Sequence, residues 1–320
     1  MIMFVTLPIL FAGKFGAMNT QPLTAETLLG SVIAVPPVAR DHQLVWNREA
    51  NLRIIRHLES GGVTTLLYGG NAVLGHVGLR EYDHLLQFLT DSVAAQTLVI
   101  PSVGPQYGMM MDQAEVLRNY AFPTVMLLPA RDGTTPAGLA TGVRRFVERI
   151  GRPIVLYLKH DGMLDVDTVQ RLTKDGLVSW IKYAIVREDA HRDPFLTALV
   201  DAVGGHYVVS GMGEQPAVIH LRDFGLTGFT SGCVCVAPAL SMAMLRALRA
   251  RNYEEAERIR AIFGPLEALR DRINPVRVLH AAVRLAGIAE TGPITPFWSP
   301  VSADHEPAIQ EAAVELFRHA

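Results

Sequence analysis

From residue 31 onward, short apolar runs rich in β-branched residues alternate with longer stretches whose apolar positions recur every three to four residues. The short runs predict strands over 31–35, 64–68, 98–103, 124–128, 154–158, 178–184, 207–211 and 228–233. The longer stretches predict helices over 47–60, 79–92, 110–120, 136–150, 165–173, 193–202 and 216–224. Each strand run is apolar on both parities, the pattern of parallel strands covered by helices on one side and packed side chains on the other. Eight such units in succession predict an α/β fold, the (β/α)8 TIM barrel. After the eighth strand the pattern becomes helical only, over 238–251, 253–271, 276–286 and 306–319, with Pro293 and Pro296 in the loop before the last. The division expected is an N-terminal extension over 1–30, the barrel over 31–237 and a C-terminal helical bundle over 238–320.

Residues 1–17 are apolar with one lysine, Lys14, near their end. A secretory signal carries its positive charge ahead of the apolar stretch, and the segment is too short to span a bilayer. It reads as a start assigned too far upstream or a frayed extension, with a signal peptide as the weaker alternative. The whole chain of 320 residues has 49% hydrophobic and 19% charged residues and a formal charge of −2 with both signs interspersed, so nucleic acid and membrane are not expected partners. Its two cysteines, Cys233 and Cys235, are too close along an extended backbone to bridge one another, and no zinc-ligand spacing surrounds them. A reduced, cytoplasmic protein with no metal is the expectation.

Charge use is uneven. Only four of the 29 basic residues are lysines, and one of them, Lys182, lies within the apolar run from Leu177 to Val186. Burying an ammonium costs several kcal/mol unless it is paired, so burial favours the free amine, which attacks carbonyls. The competing reading is a lysine that reaches solvent or a carboxylate at a strand end. Barrel active sites lie at the C-terminal strand ends, where Lys182 shares parity with Trp180 and Ala184, and Tyr157 stands at the same height one strand earlier. A phenol beside an amine can relay protons; by itself Tyr157 reads equally as a core aromatic.

These residues resemble the dihydrodipicolinate synthase and N-acetylneuraminate lyase superfamily of class I aldolases over about residues 31–320. The resemblance rests on Leu156-Tyr157, Ile181-Lys182, Ser210-Gly211, the Gly225-x-x-Gly228 approach to strand eight and the helix around Ala256. It implies an imine between Lys182 and a 2-oxo acid, a proton relay through Tyr157, no external cofactor, and a homotetramer or homodimer. Gly70, Asn71, Arg131, Gly211 and Ser231 are the expected substrate-binding residues. Three departures bear on specificity. Where the family carries Gly-Thr-Thr-Gly-Glu this chain has Gly69-Gly70-Asn71-Ala72-Val73, without hydroxyls, so a carboxylate there depends on backbone amides and the Asn71 side chain. Pro129-Ala130-Arg131 replaces a Pro-x-Tyr element, and Leu158-Lys159-His160-Asp161-Gly162 follows Tyr157. Arg131, Lys159, His160 and Arg187 could gather at the barrel mouth and suit a second carboxylate or many hydroxyls, although each alone reads as solvated rim.

The reading is a lyase, aldolase or dehydratase, acting on a 2-oxo acid, with sugar-derived acids among the candidates. A keto-acid or sugar-acid binding barrel without turnover is the alternative, and a phosphate-binding barrel using Gly228 and Gly232 is a third.

Overall fold

The computed structural model describes residues 18–130 and 133–320. The expectations for residues 1–17 and for Arg131 lie outside the described residues.

The chain runs α1 (Ala25–Gly30), β1 (Ile33–Ala34), α2 (Arg48–Ser60), β2 (Thr65–Tyr68), α3 (Leu79–Ser92), β3 (Leu98–Val103), α4 (Tyr107–Leu117), β4 (Val125–Leu127), α5 (Pro136–Ile150), β5 (Ile154–Leu158), α6 (Val166–Lys174), β6 (Val178–Tyr183), α7 (Pro194–Val203), β7 (Val208–Ser210), α8 (Glu214–Asp223) and β8 (Gly228–Ser231). The eight strands pair in parallel in chain order, and β8 returns to β1 to close the barrel. Every predicted strand is present. Several are shorter than the apolar run suggests: β1 pairs only Ile33 and Ala34, and the Val35 amide adds one more bond, to the Ser231 carbonyl of β8 at 2.8 Å.

Helix boundaries follow local chemistry. Asn47, Thr135, Asp165 and Asp193 each accept a hydrogen bond from a first-turn amide of the helix they precede, satisfying a donor that has no intrahelical partner. Within the N-terminal extension expected over 1–30, the described residues carry a short helix. Thr24 and Thr27 form a reciprocal capping box that starts α1, Leu28 is buried, and Arg249 donates to the Leu29 carbonyl.

After β8 come α9 (Pro238–Arg249), α10 (Tyr253–Arg272), α11 (Pro275–Leu285) and α12 (Glu306–Phe317). The central one, α10, packs against α8, α9, α11 and α12. It is joined to the barrel by a specific polar contact as well as by apolar packing. The Glu267 carboxylate accepts from the Glu214 amide at 3.0 Å and the Gln215 amide at 2.7 Å, and so caps the N-terminus of α8 from another element. The chain reaches that helix through Gly213 at φ +90, where a Cβ would lie 2.0 Å from Glu267 Oε1. Only glycine meets both conditions. The C-terminal helices are thereby held against the end of the barrel at which β7 and β8 finish. Among the described residues no helix is long and apolar enough to cross a membrane, and both cysteines are free thiols in the buried turn after β8.

Candidate active site

A cavity of about 910 Å³ opens at the C-terminal ends of the strands. Strand β6 sets its chemistry by alternation. Tyr183 points outward, where its hydroxyl donates to Asp193 at the start of α7, so Lys182 beside it points inward and lines the cavity. Trp180, two residues earlier and fully buried, lies one layer below. The register pairs Tyr157 of β5 with Lys182, and the Lys182 ammonium nitrogen stands over the Tyr157 ring, 4.6 Å from its centroid. The two residues that the sequence suggested as a pair are therefore in contact.

Lys182 is 4% exposed. Burial, reinforced by the positive charges of Lys159 and Arg270, lowers its pKa from the ordinary 10.5 to about 7. The Tyr157 ring face favours the charged amine, but that attraction is smaller than the burial cost. Burial pushes the Tyr157 phenol up to about 12, so it is a proton donor at neutral pH. Close behind Lys182 stands Gly211. A Cβ there would come within 2.9 Å of Lys182 Cγ and 2.7 Å of the Tyr183 carbonyl, so glycine leaves the lysine stem its space.

The turn after β2 lies across the cavity. Gly70 and Asn71 both line it. The Asn71 side chain is not simply a free donor: its amide nitrogen donates to the Val35 carbonyl at 2.8 Å, which leaves one hydrogen uncommitted. His280 of α11 is bonded to the Asn71 carbonyl at 2.9 Å. Val73, two residues on, takes φ 55, an unfavourable conformation for a β-branched side chain, and packs with Val276 and Ile294. The turn is thus pinned from β1 and from the C-terminal helices.

The remaining expected residues separate. Lys159 and Arg187 line the cavity, with Arg187 bonded to Asp161 at 2.7 and 2.9 Å and facing Asp193 at 3.0 Å. His160 lines a smaller, separate recess with Ala130 and Thr134. Ser231 does not face the cavity: its hydroxyl donates to Glu214 at 2.7 Å and accepts from the Val234 amide. In that place the structure puts a buried polar group that sequence reading missed. Glu214 accepts from Ser231 and Ser241. Glu267 stands beside it, burial pushes both carboxyls up, the Glu214 charge adds to the rise at Glu267, and Arg270 lies 3.9 Å from Glu267. The signal was present in α10, where Glu267 and Arg270 share the buried face of Phe263 and Leu266.

The arrangement offers an amine that is about half neutral at pH 7, a protonated phenol and nearby cationic side chains around a cavity large enough for a small organic acid. Known proteins resemble the chain in sequence and in fold. The chain is 25% identical over 264 residues to a probable 5-dehydro-4-deoxyglucarate dehydratase of Rhizobium meliloti, covering 75% of this chain and 81% of that protein. It is 24% identical to a 4-hydroxy-tetrahydrodipicolinate synthase of Corynebacterium diphtheriae, covering 81% and 85%. Dihydrodipicolinate synthase from Oceanobacillus iheyensis superposes with a TM-score of 0.79 at 22% identity, over 90% of this chain and 96% of that one. A catalytic lysine mutant of the sialic acid aldolase of Ruminococcus gnavus superposes with a TM-score of 0.78 at 15% identity, over 92% and 98%. No protein-family model matches the chain.

Proposed function

We propose that this chain, as a divergent member of the dihydrodipicolinate synthase and N-acetylneuraminate lyase superfamily, is a lyase that forms an imine between Lys182 and a small 2-oxo acid. The observation that carries the reading is the buried Lys182 amine, lowered to about 7, over the Tyr157 ring. A free amine attacks the 2-oxo carbon, and loss of water gives the imine. Protonated, the imine withdraws electrons from the neighbouring carbon, which can then lose a proton or release a carbon–carbon bond. Tyr157 donates to the carbinolamine oxygen as water leaves and takes part in the later proton transfers. Both dehydration and retro-aldol cleavage begin from this intermediate, and the relatives include a dehydratase by name. The scheme uses no cofactor. Gly70, Asn71 and Gly211 border the place where the oxo acid lies, and the likeness supports a homotetramer or homodimer.

Incubation with pyruvate followed by borohydride tests the reading. One reduced adduct per chain is expected on Lys182 by intact mass and peptide mapping, and none in Lys182→Met. Absence of an adduct in the wild-type protein with pyruvate and with a panel of longer 2-oxo acids would refute it.

A further inference from the structure

The loss of the hydroxyl pair from the β2 turn leaves open what neutralises a carboxylate in this cavity, and the C-terminal helix supplies a candidate. At Gly232, just past β8, an ideal Cβ would lie 2.7 Å from Arg270 Nη2 and 3.0 Å from Asn71 Nδ2. Two nitrogen donors, one from α10 and one from the β2 turn, therefore crowd the face of Gly232, near enough to each other to share one carboxylate, and a side chain at residue 232 would displace them. Gly232, Asn71 and Arg270 all line the cavity.

The charge balance also favours an anion there. Other guanidiniums at the cavity are committed: Arg187 is held by Asp161 and Asp193, and Arg260 by Glu257 and Gln215. Arg270 is less well matched. Its side chain is 11% exposed, its nearest carboxylate is Glu267 at 3.9 Å, and its other partners are the Cys233 sulfur at 3.7 Å and the Pro275 carbonyl at 3.3 Å. Glu267 is itself occupied in capping α8. A buried guanidinium without a close carboxylate gains most from an anion that brings two acceptor oxygens.

We propose that Arg270 and the Asn71 amide, meeting over Gly232, form the carboxylate subsite of this enzyme and orient the 1-carboxylate of the 2-oxo acid so that its carbonyl carbon faces Lys182. The assignment rests on the imine reading for the direction in which the acid points, but not for its binding. A guanidinium from the C-terminal helices thus does the work of the missing hydroxyl pair, and the α10 contact with α8 becomes a positioning device for substrate.

Binding without imine formation tests the subsite separately from the chemistry. In a Lys182→Met background, ligand-observed NMR titration with pyruvate and with its uncharged methyl ester measures recognition of the carboxylate. Arg270→Met and Gly232→Ala are each expected to weaken pyruvate by about 10- to 100-fold, the effect of losing a hydrogen bond to a charged group, and to change the ester by less than about threefold. Arg270→Lys should retain part of the preference for pyruvate. In the Lys182-containing protein the concentration of pyruvate that half-saturates borohydride trapping should rise by the same factor. Equal affinities of pyruvate across the Lys182→Met series, or parallel losses for acid and ester, would overturn the subsite. Failure of trapping in the wild-type protein with the NMR preference intact would overturn the imine reading and leave the subsite standing. Unchanged thermal unfolding midpoints for Arg270→Lys and Gly232→Ala separate recognition from folding.

Discussion

The proposed imine formation has a pH dependence set by the environment of Lys182. With its pKa lowered to about 7, roughly half of the amine is neutral at pH 7, against about one molecule in three thousand for a lysine titrating at an ordinary 10.5. Burial therefore raises the attacking species about a thousandfold at neutral pH. The rate of adduct formation should climb about tenfold per pH unit below pH 6, bend near pH 7, and be flat above about pH 8. The measurement incubates protein with subsaturating pyruvate at each pH from 5.5 to 9.5, then transfers timed aliquots to one fixed borohydride quench and counts adduct by intact mass. Tyr157, pushed up to about 12, stays protonated throughout, while His220 and His280, both lowered to about 4 by burial, stay neutral across most of the range. His191 at the cavity mouth is the necessary control, and His191→Gln should keep the bend. Arg270→Met removes one of the positive neighbours and should move the bend upward, though not to 10.5, because burial is the larger cause. A rate that continues to rise tenfold per unit through pH 9 would refute the argument that the amine is desolvated.

Two further outcomes follow from the same geometry. Tyr157→Phe keeps the ring against Lys182 but removes the proton donor, so turnover should fall by roughly 10²–10⁴-fold with substrate affinity nearly unchanged; unaltered turnover in steady-state kinetics would reduce Tyr157 to a packing residue. Lys182→Met should stabilise the fold, by an amount bounded at about 5 kcal/mol from the difference between 10.5 and about 7. Because the unfolded chain holds the Lys182 proton between those values and the folded chain releases it, wild-type stability gains on the variant as pH rises from 7 toward 10.5. The excess stability of Lys182→Met is therefore largest below pH 7, and urea unfolding at pH 6 and pH 9 that shows no excess at either pH would contradict the burial cost.

The parts of this protein that were legible in the sequence are those fixed by periodicity along one element. The alternation of apolar runs gave eight strands in order, and parity within β6 put Lys182 on the inner face with Trp180, because a side chain two residues away in a strand returns to the same side. Tyr157 could be matched to it because neighbouring parallel strands in a barrel end at similar heights. The start of α1 was missed although its signal, threonines three residues apart, is local. That segment was read for what precedes it.

What sequence could not show were contacts between residues distant in the chain. Ser231 looked like a wall residue at a strand end, yet one rotamer decides whether its hydroxyl meets the cavity or Glu214, and the acceptor on Glu214 decided it. Gly232 was legible only as a glycine that could cradle a phosphate with Gly228, since its importance lies in what approaches it: Nη2 of a residue 38 positions later and Nδ2 of one 161 positions earlier. Arg270 was legible only as an anomaly, a charge on the buried face of α10, and its meaning depended on the docking of that helix against α8. Buried polar residues cost free energy unless they are paired, so each on an apolar face demands an explanation from elsewhere in the fold. For Glu267 the explanation is the amide pair at the start of α8. For Arg270 the protein's own groups leave it incomplete, and that residual imbalance, rather than any motif, is what directs attention to the carboxylate of the substrate.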